Sequence, residues 1–168
     1  MPPVVGRFAP TPSGRLHLGN LLCALLAWLA CRSAGGRMVL RVEDLDTARS
    51  RREYAERMEA DLRALGLDWD EGGSLGGPHG PYYQSERTAY YEELAARLEA
   101  MGLLYPCFCT RAQLHAAEAP HGAGGEPVYD GRCRRLSPAQ RQELASRRPA
   151  ALRIRVPAET VAFTDGHY

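Results

Sequence analysis

The alternation of apolar and polar positions divides the chain into short strands and amphipathic helices. Val4 to Ala9 is a brief apolar run, read as a buried strand, and the breaker-rich turn Pro10-Thr11-Pro12-Ser13-Gly14 follows it. From Leu16–His17 the period changes. Leu18, Leu21, Leu22, Leu25, Leu26 and Leu29 recur at helical spacing, and Gly35-Gly36 ends the element. Met38 to Val42 is a second strand with Glu43-Asp44-Leu45-Asp46 at its C-terminal end. A second helix places Tyr54, Met58, Leu62 and Leu65 on one face, with Gly66 as its stop. Residues 71–81 are rich in Gly and Pro and read as a loop. A third helix is expected from about Ser85 to Met101, with Tyr90, Leu94, Leu98 and Met101 on one side. Beyond it the pattern predicts a strand from Leu103 to Cys109, a loop over 118–127, a helix opened by Ser137-Pro138, and a strand from Ala151 to Val156.

Strand, loop, helix, strand, helix is a βαβ pattern, which implies an α/β fold with a parallel sheet and right-handed crossovers. In such sheets ligands bind beyond the C-terminal strand ends. The polar segments 9–20 and 43–52 both fall there.

Composition narrows this picture. At 168 residues, 45% apolar and 24% charged, the chain suits one globular domain with at most a small appendage. The longest apolar run, Leu21 to Cys31, is too short to span a bilayer, so no membrane partner is expected. Met1-Pro2-Pro3 offers no basic leader, and a cytoplasmic monomer is the expectation. Five cysteines, an odd number, argue against a disulfide framework, and Cys23 and Cys31 are expected as core thiols. The net charge is +1, which does not mark a nucleic-acid binder. All 21 basic residues are arginine. Without a lysine the chain contains no P-loop lysine and no Schiff-base lysine.

Two constellations carry chemistry. In the first, Pro10 to Asn20 delivers the chain through a tight loop to a helix N-terminus, where N–H groups and the helix dipole favour a phosphate. His17 and Asn20 can donate to phosphate oxygens, and Gly19 permits close approach of a nucleotide. The bland alternative is a Pro/Gly turn capping a helix. Arg7 offers a fork for a carboxylate and Glu43 a counter-charge for an ammonium; alternatively the two form a buried ion pair between strand ends. Of Asp44 and Asp46, one is expected to cap the next helix and the other to pair with Arg41 or Arg49. The arginines at 49, 51 and 52 read as a solvated face. In the second constellation, Cys107 and Cys109 with the later Cys133 suit a tetrahedral metal. Tyr129, His121 and His115 are the candidate fourth ligands.

Taken together, Arg7-Phe8-Ala9-Pro10-Thr11-Pro12-Ser13-Gly14, His17-Leu18-Gly19-Asn20 and Leu40-Arg41-Val42-Glu43-Asp44-Leu45-Asp46 resemble the signatures of class I aminoacyl-tRNA synthetases of the glutamate branch. Trp69 and Tyr82-Tyr83-Gln84-Ser85 resemble it as well. The resemblance implies a Rossmann-like catalytic fold, of which this is the N-terminal portion, with a small zinc-binding insertion. The implied division is 1–102 for the first half of the nucleotide-binding domain, 103–136 for the insertion, and 137–168 for a helix and strand returning to the catalytic domain. It implies ATP with Mg2+ as substrate, bound by Pro10, His17, Gly19 and Asn20, with His17 and Asn20 catalytic. L-glutamate would be held by Arg7, Phe8, Ala9, Pro10, Thr11 and Glu43.

Within the branch, Asn20-Leu21-Leu22 and the Cys107-x-Cys109…Tyr129-x3-Cys133 arrangement resemble the queuosine-directed type. Its expected reaction is glutamyl transfer to the queuosine base at the wobble position of tRNA(Asp). Ordinary charging of tRNA(Glu) is the alternative. A class I nucleotidylyltransferase and a non-catalytic zinc RNA-binding module are the rivals from other classes. The resemblance favours Tyr129 as fourth ligand of a structural Zn2+; where ordinary glutamyl enzymes place a His two residues past the last Cys, this chain has Arg135. The family's second signature contains a lysine and cannot occur here. The 168-residue chain is therefore expected to be truncated and inactive alone.

Overall fold

The computed structural model describes residues 3–114, 129–156 and 160–164. The chain divides into two compact units, Met1–Tyr91 and Glu92–Tyr168.

In the first unit, β1 (Val5–Phe8), β2 (Arg37–Leu40) and β3 (Glu71–Gly72) form a parallel sheet in the order β1-β2-β3. The register sets Gly6 beside Met38, Phe8 beside Leu40, and Leu40 beside Gly72. Helix α1 (Leu18–Ser33) connects β1 to β2 and α2 (Arg52–Ala64) leads towards β3, so the expected α/β fold is formed. Ala24, Leu40, Val42, Ala55, Met58 and Leu62 make the core, joined by Phe8, Trp28 and Trp69 at its margin.

The leucine repeat located α1 but not its buried side. Ala24 and Cys31 are buried, whereas Leu18, Leu22, Leu25, Leu26 and Leu29 are exposed. Small residues explain the choice: a Cβ at Gly6 would come within 2.7 Å of Cys31 Cβ, so helix and strand approach more closely than a leucine face permits. Cys31 is the core thiol expected; Cys23, at the edge of the buried side, is exposed. In α2, Met58 and Leu62 are buried as expected, but Ala55 and Glu59 complete the face and Leu65 is exposed. Glu59 accepts hydrogen bonds from the Ser74 N–H (2.7 Å) and the Ser74 hydroxyl, which fastens the turn after β3.

β3 itself lies inside the segment expected to be loop. Its two residues are placed by long-range pairing, with the Asp70 N–H donating to the Met38 carbonyl (2.8 Å). Gly72 has φ 102, and a Cβ there would strike the Leu40 carbonyl, so only glycine fits.

The third helix, α3 (Thr88–Ala100), is preceded by a 3-10 turn over Gln84–Arg87. Of its expected face, Leu94 and Leu98 are half-buried, while Tyr90 and Met101 are exposed. The second unit holds β4 (Leu104–Cys107), α4 (Arg111–Leu114), a 3-10 turn at Arg132–Arg135, α5 (Pro138–Arg147) and β5 (Ala151–Ile154). Ser137 caps α5 as expected, its hydroxyl accepting from the Gln140 N–H at 3.3 Å, with Pro138 at the first turn. β5 runs antiparallel to β4. The loop expected at 118–127 lies outside the described residues. No helix among the described residues is long and apolar enough to cross a membrane.

Candidate functional site

Beyond the C-terminal strand ends of the first unit, three segments continue side by side. The Arg41 N–H donates to Phe8 O, the Glu43 N–H to Pro10 O (both 3.0 Å) and the Arg51 N–H to Pro12 O (3.1 Å). The Val42 N–H donates to Tyr82 O (2.9 Å) and the Gln84 N–H to Val42 O (2.8 Å). Backbone pairing therefore brings the 9–12 loop, the 41–44 segment and the 82–85 segment together where a parallel sheet binds ligands. Pro10 and Pro12 are buried in this ladder, while Thr11 is exposed.

His17 is the N-cap of α1. Its Nδ1 accepts from the Gly19 N–H at 3.1 Å, and Asn20 Oδ1 accepts from the His17 N–H at 3.3 Å. The reciprocal pair fixes the helix start and leaves the imidazole exposed. Gly19 was expected to admit a nucleotide; here its open side holds the His17 ring, since a Cβ would meet His17 Cε1 at 2.9 Å. The helix-cap reading of the loop is therefore formed, and the cap leaves the His17 ring at the surface.

Arg7 is exposed on the sheet face opposite α1, whereas Phe8 turns its ring to the core and offers only backbone to the site. Glu43 is half-buried, with Arg41 Nε 3.7 Å from its carboxylate. The alternative of a buried Arg7–Glu43 ion pair is not formed; Arg41 is the neighbour of Glu43, and its guanidinium also donates to the Tyr91 hydroxyl at 3.0 Å. The expectations for Asp44 and Asp46 are likewise corrected. Asp44 accepts from the Ser85 N–H (2.8 Å) and hydroxyl (2.7 Å). Asp46 uses its main-chain carbonyl to hold Arg49 and Ser50, and α2 starts at Arg51 without a side-chain cap. A cleft of about 140 Å³ opens beside the Asp44–Ser85 tether, walled by Pro12, Thr47, Arg51, Arg52 and Tyr83. The Arg52 guanidinium stacks 4.0 Å above the Tyr83 ring, so this arginine is not simply solvated. Tyr91 was not singled out from the sequence, and neither the Asp44–Ser85 nor the Arg41–Glu43 pairing was expected, because contacts of this kind leave no local pattern.

The second constellation also assembles. Cys107 ends β4, Cys109 follows it, and Cys133 lies in the Arg132–Arg135 turn; their sulfurs all lie within 4.8 Å of one another. Gly131, with φ 74, and the Asp130 carboxylate, accepting from the Arg132 N–H, turn the chain from Tyr129 into Cys133. The Tyr129 hydroxyl is 3.4 Å from Cys107 Sγ and accepts from the Cys133 N–H at 3.0 Å. Tetrahedral thiolates at about 2.3 Å from a zinc ion stand about 3.8 Å apart. The Cys109–Cys133 separation is 3.6 Å, so the donor set fits a metal.

Electrostatics agree with this fit. Burial pushes the Cys107 thiol up, but hydrogen bonds from Tyr129, the Cys109 backbone, Arg153 and Cys133 outweigh it and bring the group down to about 7. Burial and the neighbouring thiols push Cys109 up to about 11, and burial with the bonds to Cys107 and Cys133 holds the Tyr129 phenol well above its ordinary value. The Cys107 thiolate is favoured, while Cys109 and Tyr129 are held protonated beside it; a divalent cation would lower both. The three cysteines can therefore hold a metal ion. His115 and His121 lie outside the described residues.

Comparison with known proteins follows this geometry. The family described as tRNA synthetases class I (E and Q), catalytic domain, matches residues 3–167. A glutamyl-Q tRNA(Asp) synthetase of Symbiobacterium thermophilum is 61% identical over 163 residues, covering 95% of this chain and 50% of that protein. A glutamate–tRNA ligase of the same organism is 45% identical, covering 95% of this chain and 34% of its own length. The crystal structure of the glutamate-tRNA synthetase from Elizabethkingia anophelis superposes with a TM-score of 0.76 at 32% identity, over 94% of this chain and 34% of that one. The chain thus spans about half the length, or less, of the relatives it matches. With the match running over nearly every residue, the chain belongs to the class I (E and Q) tRNA synthetase family and lies within its catalytic domain.

Proposed function

We propose that this chain carries the glutamate- and ATP-binding part of an enzyme that activates L-glutamate with ATP and Mg2+ and transfers it to tRNA. The observation that carries the reading is the ladder that joins the 9–12 loop to the segment of Glu43 beyond the C-terminal strand ends, with the loop running on into the His17 cap of α1. In the proposed reaction a glutamate carboxylate oxygen attacks the ATP α-phosphorus and pyrophosphate leaves. A nucleophile of the RNA then attacks the glutamyl carbonyl and AMP leaves. His17, Asn20 and the N-terminus of α1 stabilise charge on the phosphate, with Pro10 and Gly19 beside the nucleotide. Arg7 takes a substrate carboxylate and Glu43 the α-ammonium, with Ala9 and Thr11 lining the amino-acid pocket and Phe8 supporting it from the core.

The acceptor we assign is the queuosine base of tRNA(Asp). Supporting it, the chain is 61% identical to the glutamyl-Q tRNA(Asp) synthetase of S. thermophilum and 45% identical to a glutamate–tRNA ligase of the same organism. The second reading, charging of tRNA(Glu), is favoured by the 51% identity to a glutamate–tRNA ligase 2 of Alkalilimnicola ehrlichii. We further assign one structural Zn2+ to Cys107, Cys109, Tyr129 and Cys133. All four positions are then filled by protein, which leaves no place for a reactive water. The exposed leucine side of α1 is assigned to packing against the part of the catalytic domain that lies beyond the span of this chain. A cytoplasmic monomer accords with this reading.

The test is glutamate-dependent ATP–pyrophosphate exchange with protein from the complete coding sequence. Arg7→Ala and Glu43→Ala should each raise the glutamate KM by roughly thirty-fold or more, the cost of stranding one buried charge, with little change in the ATP KM. An unchanged glutamate KM in both variants would remove these residues from the pocket.

A further inference from the structure

We infer that Arg153 is a positioning residue of the metal site, clamping Tyr129 and Cys107 and offsetting the negative charge of the four-ligand set; this rests on the zinc reading above. In the β4–β5 ladder Arg153 stands opposite Tyr105, and Cys107 opposite Ala151. Side chains two apart on a strand share a face, so Arg153 and Cys107 are diagonal neighbours on one side of the sheet. The Arg153 guanidinium lies over the Tyr129 ring, 4.2 Å from its centroid, and within reach of the Cys107 thiol. It therefore lies over one of the four donors and stands diagonally beside another, although the two come from segments 22 residues apart. Its Nε is buried without a hydrogen-bond partner among the described residues.

The neighbouring arginines are engaged elsewhere. Arg132 is paired with Asp130 at 2.9 Å. Arg134 and Arg155 lie over Tyr105, which is not a ligand, at 5.5 and 5.3 Å. The chemistry calls for a cation at this place. Three thiolates and a phenolate around one divalent ion leave a net charge of about −2, and unbalanced buried charge is costly. A planar guanidinium serves where an ammonium would not, because it can lie flat on the Tyr129 ring while an edge N–H faces sulfur. Stacking also fixes the ring's orientation, and with it the direction in which the phenol oxygen approaches the metal.

The experiment measures transfer of Zn2+ from the zinc-loaded chain to a chromophoric chelator, for wild type, Arg153→Met, Arg153→Lys and Arg155→Met. Circular dichroism checks the fold of each. Arg153→Met keeps the apolar stem and removes the charge; its zinc affinity should fall by about ten- to a hundred-fold, the range for losing a partner of a metal ligand. Arg153→Lys should fall less, and Arg155→Met, which removes the guanidinium two residues further on that lies over Tyr105 and not over a ligand, should stay within about three-fold of wild type by the same scale. With Co2+ in place of zinc, the d–d bands should shift in Arg153→Met and not in Arg155→Met, a change that mere loss of stability does not produce. In a Tyr129→Phe background the Arg153→Met penalty should shrink. Zinc held by folded Arg153→Met as tightly as by wild type, or an equal loss in Arg155→Met, overturns the role of Arg153 alone. Absence of zinc from the wild-type chain overturns the metal reading and the inference with it.

Discussion

Gly6→Ala is a one-carbon perturbation whose consequence can be worked through from the packing of α1 on β1. The added Cβ would lie 2.7 Å from Cys31 Cβ, 2.9 Å from Met38 Sδ and 3.0 Å from Cys31 Sγ. Ordinary carbon contacts are about 3.5–4.0 Å. Met38 can swing its sulfur aside, but Cys31 Cβ is fixed to the helix backbone and no rotamer moves it. The helix must therefore retreat by nearly an ångström, opening the core around Ala24 and shifting the His17 cap at its other end. Overpacking of this kind costs about 1–3 kcal/mol. For a cooperative unit near a hundred residues that lowers Tm by roughly 5–20 °C.

Cys31→Ala should not rescue the variant, because the offending Cβ remains. Cys31→Gly should, making the double variant milder than the two single losses added together. Gly14→Ala is the control: nothing lies within 4 Å of its Cβ position, and the change should stay within about 0.5 kcal/mol. Thermal denaturation followed by circular dichroism reads all four. A Gly6→Ala chain that melts with wild type would refute the close-packing argument.

His17→Ala should slow glutamate activation by roughly ten- to a thousand-fold, the range for one transition-state donor, with little change in glutamate KM; ATP–pyrophosphate exchange measures it. The second concerns pH. Hydrogen bonding from His79, aided by Tyr82 and the Arg37 charge against the opposing effect of burial, holds the Glu71 carboxyl below its ordinary value. A depressed folded-state value means stability present above the unfolded pKa of about 4.3 and lost as pH falls through the lower folded value. Glu71→Gln should therefore flatten the decline of Tm below about pH 4.3, and an acid limb identical to wild type would count against that network. The 168-residue chain by itself should show no measurable exchange, since it contains no lysine for the family's second signature; robust exchange by this chain would show that the signature is dispensable.

What was legible in the sequence was mostly local. Ser137-Pro138 located the start of α5, Gly66 the end of α2, and the Pro10–Asn20 run the loop and cap at α1, because caps and turns are decided within a few residues. The buried side of α1 was not legible. Periodicity favours the leucines, but the sheet accepts the Ala24–Cys31 side because glycine at position 6 lets it come close. β3 escaped because two residues carry no period, and Gly72 stands there to spare the Leu40 carbonyl. Asp44 finds Ser85 through a contact 41 residues distant, which no local pattern encodes. At the metal site the thiols stood out by their rarity, whereas Arg153, one of 21 basic residues, is distinguished only by the ring and sulfur it lies against.

Transfer of labelled glutamate, measured with protein from the complete coding sequence, tests both glutamate activation and the choice of acceptor. Three substrates are compared: tRNA(Asp) carrying queuosine, tRNA(Asp) lacking it, and tRNA(Glu). ATP-dependent labelling of the queuosine-bearing tRNA(Asp) alone is expected. Labelling of tRNA(Glu) instead would keep glutamate activation and overturn the acceptor, and no labelling of any of the three, with no glutamate-dependent exchange, would overturn glutamate activation itself.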